Sequence, residues 1–143
     1  MPISATQVRL GDVREAVLVE DLTRTQIVQY AGASGDYNPL HTDELYAREV
    51  AGYAGVFAHG MLTMGMTARL LTDWAGVTEL LRYGVRFVKQ VWPGDTLTAT
   101  ATVSGIRVDD GQQVADLDVI TRNQHGEPVL AGTATVRLGD EQT

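Results

Sequence analysis

The second half of the chain shows a strict alternation of apolar and polar residues, which constrains the fold more than any other feature. From residue 96 to 103, threonines occupy every second position, and the positions between them hold Leu97, Ala99, Ala101 and Val103. A period of two is typical of an antiparallel strand with one face buried and one exposed. Similar patterns predict strands at 80–91, 113–122 and 129–138, and a short apolar run predicts a first strand at 16–21.

Between the first strand and the later ones, the sequence changes to helical spacing. Apolar residues recur at steps of three and four from Gly60 to Trp74, and they cover most of the circumference, which predicts a buried helix that stops at Gly76. Shorter helices are predicted at 24–33 and 44–49, with loops at 34–41 and 52–58. Small residues on the inward face of the strands leave room for a thick helix. The sequence therefore predicts an α+β fold, in which an antiparallel sheet wraps around a buried central helix.

Composition limits the functions that this domain can have. A chain of 143 residues is expected to form a single domain, residues 1–143. The net charge of −7 and the lack of any cluster of basic residues argue against nucleic acid and anionic membrane surfaces as partners. There is no cysteine, no long apolar run, no signal-like pattern in residues 1–12 and no phosphate-loop or dinucleotide motif. We therefore expect a cytoplasmic protein without a membrane span or a bound cofactor.

A loop that contains an aspartate and a histidine is the first candidate for chemistry. Asp36 and His41 flank an Asn-Pro pair, and Pro39 disfavours helical geometry at Asn38, so the chain can fold back at this point. A carboxylate and an imidazole brought together can hold a water molecule and move protons near neutral pH. Spacing alone fits equally well with turn and capping roles for these residues.

The second candidate is the start of the central helix. The first N–H groups of a helix lack internal acceptors, so Gly60 could offer an oxyanion site to a substrate carbonyl. The alternative is a simple helix entry, with His59 as a buried core histidine. Asp36, His41, Asp43 and His59 are possible metal ligands, but no known ligand spacing occurs, and we predict no metal.

Three stretches together resemble the MaoC-like hydratase/dehydratase family, whose members have the hot-dog fold. They are residues 30–43, YAGASGDYNPLHTD, residues 58–62, AHGML, and residues 85–97, VRFVKQVWPGDTL. The segment after His59 is especially similar to the catalytic subunits of mycobacterial (3R)-hydroxyacyl-carrier-protein dehydratases. The resemblance implies a single hot-dog domain, with the catalytic motif on an inserted helical and loop segment.

The resemblance also implies a reaction and roles for residues. The reaction is reversible hydration of trans-2-enoyl thioesters, or dehydration of (3R)-3-hydroxyacyl thioesters, carried by coenzyme A or acyl-carrier protein. Asp36 and His41 would form the acid–base pair, with the role of each left open. Asn38 would orient the pair or its water, and the Gly60 N–H would bind the thioester oxygen. A hot-dog dimer is implied, either a homodimer or a heterodimer with a related subunit.

The resemblance leads us to expect substrate contacts along the central helix, and two other functions stay open. We expect the acyl chain to lie along the central helix, near Tyr53, Phe57, Met61 and Met64, and the carrier phosphates to meet bases such as Arg86 and Lys89. A hot-dog acyl-thioesterase is one alternative function. A non-catalytic acyl-binding subunit of a heterodimer is the other, although the trio of Asp36, Asn38 and His41 argues against it.

Overall fold

A five-stranded antiparallel sheet forms the frame of the computed structural model, which describes residues 3–139. Residues 1, 2 and 140–143 of the predicted domain lie outside the described residues. In the sheet the strands stand in the order β1-β3-β4-β5-β2. Their bounds are β1 (Val13–Val19), β2 (Leu80–Phe87), β3 (Leu97–Asp109), β4 (Gln112–Arg122) and β5 (Pro128–Arg137). All five predicted strands are present, so the antiparallel sheet is confirmed.

The alternation in β3 marks the face of the sheet that points into the core. Leu97, Ala99, Ala101 and Val103 are all 2% exposed or less, while the threonines between them are partly exposed. The prediction stopped β3 too early, because the strand continues past an irregularity after Val103 and pairs with β4 as far as Asp109. It turns there through Asp110 and Gly111, which both have positive φ and thus suit a tight hairpin.

The central helix, α3 (Gly60–Ala75), packs against the inner face of this sheet. The side chains that face the sheet recur at helical spacing: Thr63, Thr67, Leu70, Leu71 and Ala75. The opposite stripe of the helix is exposed, beginning with Met61 at 56%. Two threonines occupy the buried stripe because the Thr67 hydroxyl donates to the Thr63 carbonyl oxygen and lies 2.7 Å from the Thr121 hydroxyl oxygen. A buried threonine whose hydroxyl is satisfied costs little.

Between β1 and α3 the chain forms a helical segment that carries the site. Helix α1 (Arg24–Ser34) begins with a capping box and ends at Gly35, whose φ of 75° favours glycine. Helix α2 (Pro39–Thr42) and a π-helical turn (Tyr46–Val50) follow. The predicted loop at 34–41 is therefore wrong in its second half, because Pro39 is preorganised for the first turn of a helix. None of the helices between residues 3 and 139 has the length and apolar character needed to span a membrane.

The strands β1 and β2 end at different residues from those predicted. β1 runs from Val13 to Val19 rather than 16–21, because it pairs with β3 from Val13 onward and Asp21 has a positive φ. β2 ends at Phe87 rather than at residue 91, because the chain leaves the edge of the sheet after Phe87.

An ion-pair network ties the inserted segment together. The Glu44 carboxylate lies 2.6 Å from Arg24 Nε, in α1, and 3.5 Å from Arg48 Nε. Arg48 Nε also donates to the Ala54 carbonyl oxygen at 2.9 Å. The Arg24 side chain lowers the pKa of Glu44, so this carboxylate stays charged over the neutral range. The network joins α1 to the turn that leads towards α3.

Candidate active site

Hydrogen bonds between side chains and backbone groups two residues apart fix the conformation of the segment around Asp36. Ser34 Oγ accepts from the Asp36 N–H at 3.2 Å, and Asp36 Oδ1 accepts from the Asn38 N–H at 3.2 Å. Asn38 Oδ1 in turn accepts from the Leu40 N–H at 3.0 Å and so caps α2. The Asn38 side chain is therefore engaged at the start of α2, and Asn38 contacts Asp36 through its backbone. This chain of bonds presents the Asp36 carboxylate just before the helix that carries His41.

A hydrogen bond from Nδ1 to a backbone carbonyl oxygen holds the His41 ring in place. His41 Nδ1 lies 2.6 Å from the Phe57 carbonyl oxygen, which can only accept, so Nδ1 carries the proton. In a neutral ring His41 Nε2 then has the free lone pair and can act as a base. Burial lowers the pKa of His41 from 6.5; the bond to Phe57 opposes this, His59 adds to it, and Asp36 opposes it. The ring is thus held in its neutral, basic form near pH 7.

Three functional side chains converge at this point. One oxygen of Asp36 and one ring nitrogen each of His41 and His59 lie within 4.8 Å of one another. A single water molecule can bridge two polar atoms at such a separation, since each hydrogen bond spans about 2.8 Å. The structure therefore brings together the aspartate and the histidine that the sequence analysis singled out, and it adds His59.

The same trio must be tested as a metal centre, because two histidines and a carboxylate are ligands for several transition metals. The rings of His41 and His59 are stacked, with centroids 3.9 Å apart and planes inclined by only 27°. A metal lies in the plane of each imidazole ligand at about 2.0–2.1 Å from its nitrogen. Planes so nearly parallel meet well beyond that distance, so both rings cannot ligate one ion. The geometry suits a bound water better than a metal.

Gly60 begins α3 directly after His59. Among the described residues, the Gly60 N–H donates to no backbone or side-chain acceptor, as expected for the first residue of a helix. The positive end of the helix dipole lies here and favours an oxygen that gains negative charge. A Cβ placed on Gly60 would lie 3.1 Å from ring atoms of Phe87, so the approach to this amide is narrow.

A cavity of about 250 Å³ opens beside Gly60. Its lining comes from the segment before α3, from α3 itself, from the end of β2 and the chain that follows it, and from β5: Phe57, Ala58, Gly60, Thr63, Phe87, Val88, Lys89, Gln90, Val91 and Val129. The lining is mainly apolar, and its one charged group, the Lys89 amine, pairs with the Glu127 carboxylate. A small apolar group next to a polar donor fits this cavity.

The expected substrate contacts divide into two groups. Phe57 and Lys89 line the cavity, whereas Tyr53, Met61, Met64 and Arg86 are not among its lining residues. Tyr53 packs instead on Phe57, with ring centroids 5.0 Å apart. The Met64 carbonyl oxygen accepts from the Tyr83 hydroxyl at 2.9 Å. The Met64 side chain is partly buried against the core on the side of α1 and β5.

The sequence did not reveal the part that two residues play at the site. It marks His59 as a core histidine or a possible metal ligand, and it gives no sign of the stacking on His41. It marks Phe87 only as a strand residue, yet the Phe87 ring stands over Gly60 and is 53% exposed. A large apolar residue at a strand end was the available signal for Phe87. No local pattern in the sequence pointed to the stacked pair of histidines.

Comparisons with known proteins place the chain among a defined set of relatives. Residues 5–125 match the family described as MaoC like domain. The (R)-specific enoyl-CoA hydratase of Rhodospirillum rubrum is 34% identical over 89% of this chain and 89% of its own length. The 3-hydroxyacyl-thioester dehydratase X of Mycobacterium tuberculosis is 40% identical over 81% of this chain. The chain spans 37% of that protein, and only 18% and 5% of two other curated relatives, which are much longer.

Solved structures show the same architecture. The (R)-hydratase from A. caviae involved in PHA biosynthesis has a TM-score of 0.81 and 26% identity, with 94% of this chain and all of that one covered (100%). A conserved hypothetical protein of Mycobacterium tuberculosis with a double hot-dog fold has a TM-score of 0.77 and 20% identity, over 95% of this chain and 44% of that one. The predicted hot-dog fold is therefore confirmed.

Proposed function

The chain belongs to the MaoC-like domain family, and from that premise we propose that it catalyses the reversible hydration of trans-2-enoyl thioesters. The reverse direction is the dehydration of (3R)-3-hydroxyacyl thioesters. The observation that carries the proposal is the convergence of Asp36 and His41 within 4.8 Å, with a free helix-entry amide at Gly60. Two of the relatives, a hydratase and a dehydratase, are named for the two directions of one reaction.

The proposed reaction needs two kinds of help. Water adds across a conjugated double bond, so negative charge builds on the thioester oxygen as an enolate forms. The N–H of Gly60, at the positive end of α3, would donate to that oxygen. One such donor contributes roughly 10²–10³-fold to the rate. The reacting water must also lose a proton, and C2 of the substrate must gain one.

Asp36 and His41 would move those protons. His41 Nε2 accepts a proton from water, because Nδ1 is already committed to the Phe57 carbonyl oxygen. The hydroxyl then bonds to C3, and the proton passes through Asp36 to C2 as the enolate collapses. One water molecule is consumed, and both residues return to their starting protonation states. Each positioned proton transfer contributes about 10²–10⁴-fold.

The direct test follows the absorbance of the enoyl thioester when crotonyl-CoA is added to the purified protein. We expect the absorbance to fall without release of free thiol. Asp36→Asn and His41→Ala should each lower kcat by about 10²–10⁴-fold in folded protein. Release of free thiol at the rate of substrate loss would instead identify a thioesterase. Normal turnover by either variant would remove the acid–base pair from the proposal.

We further propose a dimer of hot-dog subunits. Two features support it: β1 and β2 are both edges of the sheet, and apolar side chains are exposed at the end of β2, namely Phe87 at 53% and Val88 at 58%. Unpaired edges and exposed apolar residues favour association. Size-exclusion chromatography of the chain alone, and together with a related subunit, distinguishes a homodimer from a heterodimer. The cytoplasmic location stays a prediction.

The identity of the carrier is also a proposal. Lys89 lines the cavity, whereas Arg86 stands three residues earlier, on β2, and is not among the lining residues. Because Lys89 pairs with Glu127, its charge is partly neutralised. Arg86 is exposed and is the better candidate for a phosphate of coenzyme A or of an acyl-carrier protein. Comparing KM for the two forms of one acyl thioester, with Arg86→Ala beside the wild type, tests this assignment.

A further inference from the structure

His59 contacts both members of the acid–base pair and directly precedes the helix-entry amide. It is 1% exposed and stands at the N-cap of α3, next to Gly60. Its ring stacks on His41 at 3.9 Å, and its Nε2 lies 3.0 Å from the Asp36 carbonyl oxygen. On its other side it meets the edge of the Tyr30 ring, at 4.8 Å between centroids. His59 therefore connects the aspartate loop, the base and the helix entry.

We propose that His59 is a positioning residue, which holds the Asp36 loop and the plane of the His41 ring in register with the helix-entry amide. This inference rests on the proposed hydration. His59 does not exchange protons with the substrate in this role. It acts through Asp36 and His41, by one hydrogen bond and one ring contact.

The stacking of His59 on His41 fixes the plane of the His41 ring, which the hydrogen bond to the Phe57 carbonyl oxygen does not fix by itself. The Nδ1 hydrogen bond and the Cβ attachment fix two points of the His41 ring, and the Phe57 ring meets it only edge-on, with centroids 5.2 Å apart, so the ring can still rock about the line between those points. The face of His59, nearly parallel at 27°, blocks this rocking. His41 Nε2 is thereby aimed in one direction. A misplacement of about 1 Å in a reacting group can cost 10²-fold in rate, so this restraint matters for catalysis.

The hydrogen bond fixes the aspartate. The Asp36 carbonyl oxygen can only accept, so His59 Nε2 carries the proton and donates. In the neutral ring His59 Nδ1 then bears a lone pair, and this atom is buried without a hydrogen-bond partner among residues 3–139. A phenyl ring would avoid a buried, unpaired nitrogen and would fill the same space. It could not donate to Asp36, and this difference makes the role testable.

Two substitutions separate the two contacts. His59→Phe keeps a ring against His41 and removes the donor, while His59→Gln can place an amide N–H near the position of Nε2 and removes the ring. We expect both to lower kcat for crotonyl-CoA by up to roughly 10²-fold, with KM close to the wild-type value. Val114→Ala is the matched control, because Val114 is fully buried in β4 and takes no part in the site. It should lose stability and keep kcat.

A readout without turnover completes the experiment. Nitrogen-15 spectra of the histidine rings report which nitrogen of His41 carries the proton. We expect a single Nδ1–H tautomer in the wild type and in His59→Phe, which keeps a ring against His41, and averaged signals in His59→Gln, which removes it. Wild-type kcat in both folded variants, unchanged His41 signals in His59→Gln, or an equal loss of kcat in Val114→Ala would each overturn the inference. If the wild type hydrates no enoyl thioester, the proposed function fails, and the ring spectra still decide whether His59 orients His41.

Discussion

Replacing Gly60 with alanine tests the most specific geometric claim made for this protein. The added methyl would lie 3.1 Å from three ring atoms of Phe87, at the mouth of the cavity. Gly60 does not have a positive φ, so alanine meets no backbone strain there. The substitution therefore fills the space between Gly60 and the Phe87 ring, next to the Gly60 N–H.

The expected magnitudes for activity and stability differ sharply. The Phe87 ring must shift by a few tenths of an ångström to admit the methyl. That shift opposes the gain in helix propensity, which is at most about 1 kcal/mol for glycine to alanine. The melting temperature should thus change by no more than roughly 2–4 °C. A substrate carbonyl kept from the Gly60 N–H should lower kcat/KM by about 10²-fold, the cost of one oxyanion donor.

The chain provides a matched control in the same helix. A Cβ on Gly65 would meet no atom within 4 Å, and the residue is exposed. Gly65→Ala should raise the melting temperature by up to roughly 2–4 °C and leave kcat/KM unchanged. Both variants are assayed with crotonyl-CoA, and their unfolding is followed by circular dichroism. If Gly60→Ala keeps wild-type kcat/KM while remaining folded, the helix-entry amide is not the donor to the thioester oxygen.

Three further predictions concern pH, the ion-pair network and the sheet. Because burial lowers the pKa of His41 below 6.5, kcat/KM should fall only when the pH drops below 6.5. A fall in kcat/KM that begins at a higher pH would contradict the assignment of His41 as the base. The pKa of His41 is lower in the folded chain than in the unfolded chain, so on acidification the unfolded chain takes up this proton at a higher pH. The free energy of unfolding should therefore fall as the pH drops from 6.5 to the pKa of His41 in the folded chain. Glu44→Gln should lower the free energy of unfolding by up to about 1 kcal/mol in urea titrations, with a smaller effect at high salt; an equal loss at all salt concentrations would argue against the pair with Arg24. Gly132→Ala should lower the free energy of unfolding by about 1–3 kcal/mol, because its Cβ would overlap the Gly84 carbonyl oxygen; an unchanged free energy of unfolding in urea would exclude that close approach.

Much of the fold could be predicted because its signals are local. The alternation from residue 96 to 103 fixes which side chains face inward, and this followed from a period of two alone. The helix from Gly60 was also predictable, since its apolar spacing and the glycine at its end are encoded within one segment. The extent of β3 was not, because its continuation to Asp109 depends on pairing with β4 along the whole hairpin. Strand ends are decided by partners that a sequence window does not contain.

The candidate site divides in the same way. Asp36 and His41 stood out because a proline lies between them and forces a local turn, which sequence reasoning can recognise. The contact of His59 with His41 joins α2 to the entry of α3, and the π-helical turn and a loop lie between them in the chain. The bond between His41 Nδ1 and the Phe57 carbonyl oxygen spans the same gap, and no local sequence pattern encodes either contact. The face that α3 turns to the sheet also depends on Thr67 meeting Thr121, a contact across many residues.

The order of elements along the chain has a consequence for how the protein is made. All residues from Asp36 to Gly60 are synthesised before β2, β3, β4 and β5. The last three strands are joined as consecutive hairpins, whose contacts are local and quick to form. During synthesis, residues 36–60 therefore leave the ribosome before most of the sheet and stay exposed to solvent until these strands have formed. A chain truncated before β5 would lack part of the sheet and would not form the site, although every residue proposed for acid–base chemistry had already been translated.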